Sequence, residues 1–132
     1  MKFLLDTHTL IWALDGNPRI SQRSLEAIEN TQNTILVSTV SVWEISVKKA
    51  LGKFDFEGIS IEELPMYLEE MLFDILPLNL AEAASFHRLD VYYHRDPFDR
   101  MLIWQAISND YTLITKDADI QRYKQVGLKT FW

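Results

Sequence analysis

The chain contains no cysteine, so disulfides and thiolate-bound metals are excluded. Glycine and proline are scarce, four of each, which argues against a disordered or loop-dominated chain. No apolar run approaches the roughly 18 residues that a membrane span needs, and the N-terminus shows no signal-peptide pattern. Cytoplasm is the expected compartment. Basic charge is also short: 13 Lys and Arg stand against 19 Asp and Glu, for a net charge of −6. A chain of that sign does not bind nucleic acid through a broad basic surface. It can still act on nucleic acid if its acids gather at a site that a metal fills.

What is present is a globular composition, 48% hydrophobic over 132 residues, enough for one domain (residues 1–132) with a real core. Phe3-Leu4-Leu5 is a wholly apolar run that ends in Asp6. Such a run fits a strand buried on both faces, and an aspartate at its end lies at the carboxyl edge of the sheet, where α/β proteins bind ligands. Asp6 also suits the cap of the next helix, and the run alone does not choose.

Downstream, Leu10, Ile11 and Leu14 share a helical face up to Gly16, and Ser21 opens a second helix with Leu25 and Ile28 inward. Thr34–Ser38 reads as strand two and Val40–Leu51 as a helix stopped by Gly52. Ser60 and Glu63 have capping-box spacing before a helix carrying Leu64, Leu68, Met71 and Leu72, with Pro65 in its first turn. Phe73–Leu78 reads as strand three, followed by a helix from Asn79 through Leu89 and a polar loop from Asp90 to Arg95. Pro97–Asn109 is a strong helix, Tyr111–Thr115 strand four, Ala118–Tyr123 a short helix and Leu128–Phe131 an edge strand. This alternation implies βα units and a mostly parallel sheet.

Certain acids face the wrong way. Val40, Glu44, Val47 and Leu51 form one helical column, and only Glu44 is charged. A carboxylate in an inward column needs compensation: a metal, a catalytic role, or a capping box with Ser41. Asp99 begins the apolar column of Ile103 and Ile107, at the helix end whose dipole favours negative charge. Asp96 before Pro97 looks like an N-cap. Asp117 follows strand four as Asp6 follows strand one; Asp119 reads as a surface charge. In a parallel sheet Asp6, Glu44, Asp99 and Asp117 fall on one edge. Carboxylates packed there either take up protons or hold a cation, and all-oxygen donors suit Mg²⁺ or Mn²⁺.

Leu4-Leu-Asp6-Thr-His8, Ser41-Val-Trp-Glu44-Ile, Asp96-Pro-Phe-Asp99-Arg100 and Thr115-Lys-Asp117, in this order and spanning nearly the whole chain, resemble the PIN-domain ribonucleases. The resemblance is nearest to the VapC-type toxins of toxin–antitoxin pairs. It implies a Rossmann-like α/β/α sandwich with a five-stranded sheet of order 3-2-1-4-5. It also implies hydrolysis of RNA by metal-activated water at an acidic cluster holding Mg²⁺ or Mn²⁺. The family's acids map to Asp6, Glu44, Asp99 and Asp117, with Asp96, part of the third motif, a further candidate at the metal. A homodimer and a silencing antitoxin are implied as well.

If RNA is the substrate, Arg95, Arg100 and Lys116 are candidates to hold phosphates, with salt bridges to neighbouring acids as the alternative. Lys48, Lys49 and Lys53 suit a helix C-terminus. His8 fits a helix start, and His87 and His94 have no metal-like spacing. Trp12, Trp43 and Trp104 are expected in the core; Trp12 and Trp43 are also candidates for a partner surface. Two other classes compete with the nuclease: phosphoryl transfer with Asp6 as nucleophile, and a non-catalytic binding module. The phosphatase pattern wants an acid at position 8, where this chain has His8, and a degenerate module would lack some of the four acids.

Overall fold

The strands alternate strictly between two cores. In a computed structural model, which describes residues 1–54 and 58–132, β1 (Lys2–Leu5), β2 (Thr34–Ser38), β3 (Asp74–Leu76), β4 (Thr112–Ile114) and β5 (Lys129–Phe131) form one sheet. All pairings are parallel and the order is β3-β2-β1-β4-β5. Phe3, Leu5, Ile35, Val37 and Ile114 point to one face, where they meet Leu10 of α1 (Thr7–Asp15), Ile28 of α2 (Gln22–Glu29), Ile45 of α3 (Thr39–Ala50) and Leu68 of α4 (Leu64–Glu70). Leu4, Leu36 and Leu113 point to the other, against Ile103 and Ala106 of α6 (Pro97–Asn109) and Ile120 of α7 (Ala118–Gln121). A period of two on an all-apolar strand supplies both layers at once, so the expected α/β/α sandwich is observed. The helix α5 (Leu80–Ser85) joins the second layer, where Trp104 of α6 donates to Ser85 Oγ at 3.1 Å.

Leu5 is fully buried at the centre of the first core. Leu5→Ala is expected to cost about 2–5 kcal/mol in urea unfolding, the range for a cavity left by a core leucine.

The differences from expectation are local. Strand three is only Asp74–Leu76. Helix α4 stops at Glu70, and Leu72, at φ 60°, projects into solvent with Met71 rather than inward. Ile61–Glu63 is a 3-10 turn, and Ser60 bonds the Glu62 side chain at 2.5 Å instead of capping a helix. Leu51 lies past the end of α3 and is exposed; Leu25 is only half-buried, with Ser24 taking the inward place. The helix expected through Leu89 ends at Ser85 and continues as a 3-10 turn, Phe86–Arg88. The Asn79–Glu82 capping box forms as expected. Among the described residues no helix is long and apolar enough to cross a membrane.

Strand order places the site. The chain builds β1, β2 and β3 in one direction, then returns to add β4 and β5 on the other side of β1. The switch point therefore lies between β1 and β4, whose ends are in register through Leu5 and Ile114. The Asp6 N–H closes this edge by donating to the Ile114 carbonyl at 3.2 Å.

Candidate active site

Asp6 leaves the end of β1 and caps α1: its Oδ1 accepts the Thr9 N–H at 2.8 Å. It is almost wholly buried. Burial pushes its carboxyl up, partly offset by hydrogen bonds from Thr115 and Thr9. Asp117 does the same work after β4, its Oδ1 accepting the N–H groups of Asp119 and Ile120 at 2.8 and 3.0 Å. Asp96 caps α6, its Oδ1 accepting from Phe98 and Asp99 at 2.8 and 3.1 Å. Capping and site use are not exclusive here. Each cap occupies Oδ1, and the second carboxylate oxygen remains for another partner.

Glu44 sits in the second turn of α3 and is buried. It does not form a box with Ser41, because the cap of α3 is Ser38. Its Oε1 accepts from the Thr7 hydroxyl at 2.6 Å, and its Oε2 pairs with Lys48. The Lys48 amine loses some basicity to burial, but the hydrogen bond and charge of Glu44, with Asp96 and Asp99 behind it, raise it on balance.

Asp99 reports how close these groups are. Its carboxyl is pushed up to about 8, first by burial and then by the negative charges of Glu44, Asp96, Asp6 and Asp117. The four acids read from the sequence, and Asp96, therefore share one electrostatic neighbourhood at the carboxyl edge of the sheet. That neighbourhood is short of positive charge, as an all-oxygen divalent cation site is before it is filled. Chemically the donor set fits Mg²⁺ or Mn²⁺. The side chains are held on protein donors in this conformation, and among the described residues no three acids or imidazoles stand together at metal-binding spacing.

One group at the site was not legible in the sequence. His94 Nε2 lies 3.2 Å from Asp99 Oδ2 and 3.4 Å from Asp117 Oδ2. Its spacing from the other histidines carries no signal; only its place two residues before Asp96 does. Thr7 and Thr115, each next to a site acid or one residue from it, were likewise missed.

The candidate phosphate ligands divide. Lys116 and Arg95 are exposed, and Lys116 Nζ lies 6.0 Å from the centre of the Trp12 ring. A cleft of about 350 Å³ lies there, lined by Asp6, His8, Trp12, Lys116 and Asp117. Arg100 departs from expectation. It is buried, with Nη1 on the Val91 carbonyl and Nη2 on the Leu89 carbonyl, both at 2.6 Å. Its fork is spent on backbone oxygens inside the protein and does not face a phosphate. Trp43 corrects a second expectation: it is 62% exposed and rests edge-on against Phe98, while Trp12 is half-buried against Trp132.

The PIN-domain family model matches residues 3–126. The chain belongs to the PIN-domain family. Solved structures share the fold of this PIN domain at low sequence identity. VapBC2 from Rickettsia felis, bound to a DNA fragment from its promoter, is 18% identical with a TM-score of 0.70, over 99% of this chain and 98% of that one. VapBC-1 from nontypeable Haemophilus influenzae is 20% identical with a TM-score of 0.70, over 99% and 97%. VapBC-5 from Mycobacterium tuberculosis, a member of the VapBC family of toxin–antitoxin systems, is 16% identical with a TM-score of 0.55, over 98% and 95%. No curated protein matches the chain.

Proposed function

We propose that this PIN domain is a divalent-metal-dependent endoribonuclease, the toxin of a toxin–antitoxin pair. The observation that carries the reading is the convergence of four acids from separate segments: Asp6 and Asp117 line one cleft, His94 Nε2 lies within 3.4 Å of Asp99 and Asp117, and Thr7, next to Asp6, bonds Glu44. Metal use is general in the family, and an all-carboxylate set favours Mg²⁺ or Mn²⁺.

These four acids would hold the ion, with Asp96 beside them as cap of α6. Bound there, such an ion would supply activation of a water and stabilisation of charge on the phosphodiester. The chain's residues prepare for it. Thr7 orients Glu44 through its hydroxyl, and Lys48 neutralises Glu44 from the solvent side. Capping α1 and α7 fixes Asp6 and Asp117 just past the ends of β1 and β4. Lys116, which lines the cleft with Asp6 and Asp117, and Arg95, exposed just before Asp96, are the candidates to hold phosphates. The cations are few, so recognition is local rather than spread over a basic face.

The VapBC structures support an antitoxin for this chain, and a homodimer is the expected free form. Sedimentation of the purified chain at micromolar concentration is expected to give twice the monomer mass; a monomer throughout would remove the dimer from the proposal.

The central test uses purified protein with single-stranded RNA in Mg²⁺, in chelator, and with Asp6→Asn. Cleavage is expected in the first arm, with loss on the order of 10³-fold in the other two, the scale of removing an electrostatic element of a catalytic centre. Equal cleavage in all three arms defeats the proposal.

A further inference from the structure

We propose that His94 is a positioning residue of the acid cluster, tying Asp99 to Asp117 and so setting the oxygens that these two acids present to a cation. The inference rests on the reading of the acids as a cation site. His94 belongs to none of the acidic motifs, and its contacts are what single it out.

The ring's tautomer follows from its partners. Nδ1 accepts the backbone N–H of Asp96 at 3.1 Å, so in the neutral imidazole the proton resides on Nε2. Nε2 faces Asp99 Oδ2 at 3.2 Å and Asp117 Oδ2 at 3.4 Å. One N–H thus bridges side-chain oxygens of two acids held next to each other. Asp117 Oδ1 is already committed to two backbone amides, so the ring fixes the rotation of that carboxylate completely. Asp99 lacks a backbone donor to its side chain among the described residues. His94 is the described donor that orients it.

The loop that carries the ring is held from inside the protein. Tyr123, fully buried, accepts the His94 N–H at 3.2 Å and lies 3.1 Å from both the Val91 and His94 carbonyls. Arg100 binds the Tyr123 hydroxyl at 2.7 Å and the carbonyls of Leu89 and Val91. An edge-on ring contact with Tyr93 braces Tyr123 further. The burial of Arg100, unexplained by substrate binding, finds its purpose here: it anchors the loop that delivers the imidazole. Donors that orient a metal's carboxylate ligands typically govern affinity by about 10–100-fold.

Two conservative variants separate the nitrogens. Asn at position 94 can still accept the Asp96 N–H but has no atom at Nε2; Gln can place a donor near Nε2. Calorimetric titration with Mn²⁺ alone, on the intact chain without RNA, reads the effect. Wild type is expected to bind, His94→Asn to bind about tenfold or more weakly, and His94→Gln to recover most of the loss. The metal-free melting temperatures of the three are expected to agree within a few degrees. Equal Mn²⁺ affinity in wild type and His94→Asn overturns the inference while leaving the cation site intact. Tighter binding by His94→Asn also overturns it, since the ring would then be obstructing the ion. A wild type that does not bind Mn²⁺ removes the proposed function and this inference together.

Discussion

Asp99→Asn is expected to stabilise the metal-free chain at pH 8 to 9 while abolishing RNA cleavage. The carboxyl of Asp99 is raised from 3.8 to about 8, by burial first and by its acidic neighbours second. Below pH 3.8 it is protonated in the folded and unfolded chain alike, and its environment exacts no cost. As pH rises from there, the unfolded chain ionises while the folded chain keeps its proton, so stability falls. Above about pH 8 the whole penalty is present. At about 1.4 kcal/mol per tenfold change in proton affinity, it is on the order of 5 kcal/mol, an upper bound for a group that retains some solvent. Asparagine cannot ionise and escapes the penalty. Its melting temperature without metal is expected to exceed wild type by more than about 5 °C at pH 8.5, with the gap closing towards pH 4. Saturating Mn²⁺ is expected to raise the wild-type value and leave the variant nearly unmoved. A variant no more stable than wild type at pH 8.5 would show that the acids do not crowd Asp99. The stored repulsion is then a functional feature: a site assembled against its own charge accepts a cation with a larger gain.

The layer architecture was legible because its central strands carry unbroken apolar runs. Phe3, Leu4 and Leu5 leave no polar face, and only a sheet covered on both sides can hold them. Helix ends were less legible where composition and tertiary contact disagree. Leu51, Met71 and Leu72 continue an apolar column on paper, yet each lies past the last residue of its helix and faces solvent. Trp43 shows the same limit from the other side: a large aromatic on a helix predicts burial, but its face of α3 looks outward.

Within the site, capping and ligation looked like rival explanations for Asp6, Asp96 and Asp117. The structure shows the caps, and a cap needs only one of a carboxylate's two oxygens, so capping does not exclude ligation. His94 was missed for a different reason. Its role depends on two carboxylates brought to it by α6 and by the turn after β4, and no spacing along the chain encodes that meeting.

Arg100→Lys is expected to cost about 3 kcal/mol or more in chemical denaturation, against almost nothing for Arg95→Lys. Arg95 is exposed and has no side-chain partner among the described residues. Arg100 is buried, and its fork satisfies the carbonyls of Leu89 and Val91 and the hydroxyl of Tyr123 at once. It also stacks on Tyr92, its guanidinium carbon 4.1 Å from the ring centre. Lysine keeps the charge, but a compact ammonium cannot span those acceptors or stack as a plane. Its substitution leaves buried oxygens unpaired and a charge poorly compensated, the situation in which single changes cost most. The measurement decides between the two roles considered for this side chain. A phosphate ligand in solvent would tolerate lysine, changing KM for RNA and leaving the unfolding midpoint in place. An interior anchor loses midpoint first, and the loop from Leu89 to Arg95 is expected to lose hydrogen-exchange protection ahead of the sheet. An unshifted midpoint with a raised KM would return Arg100 to the substrate side.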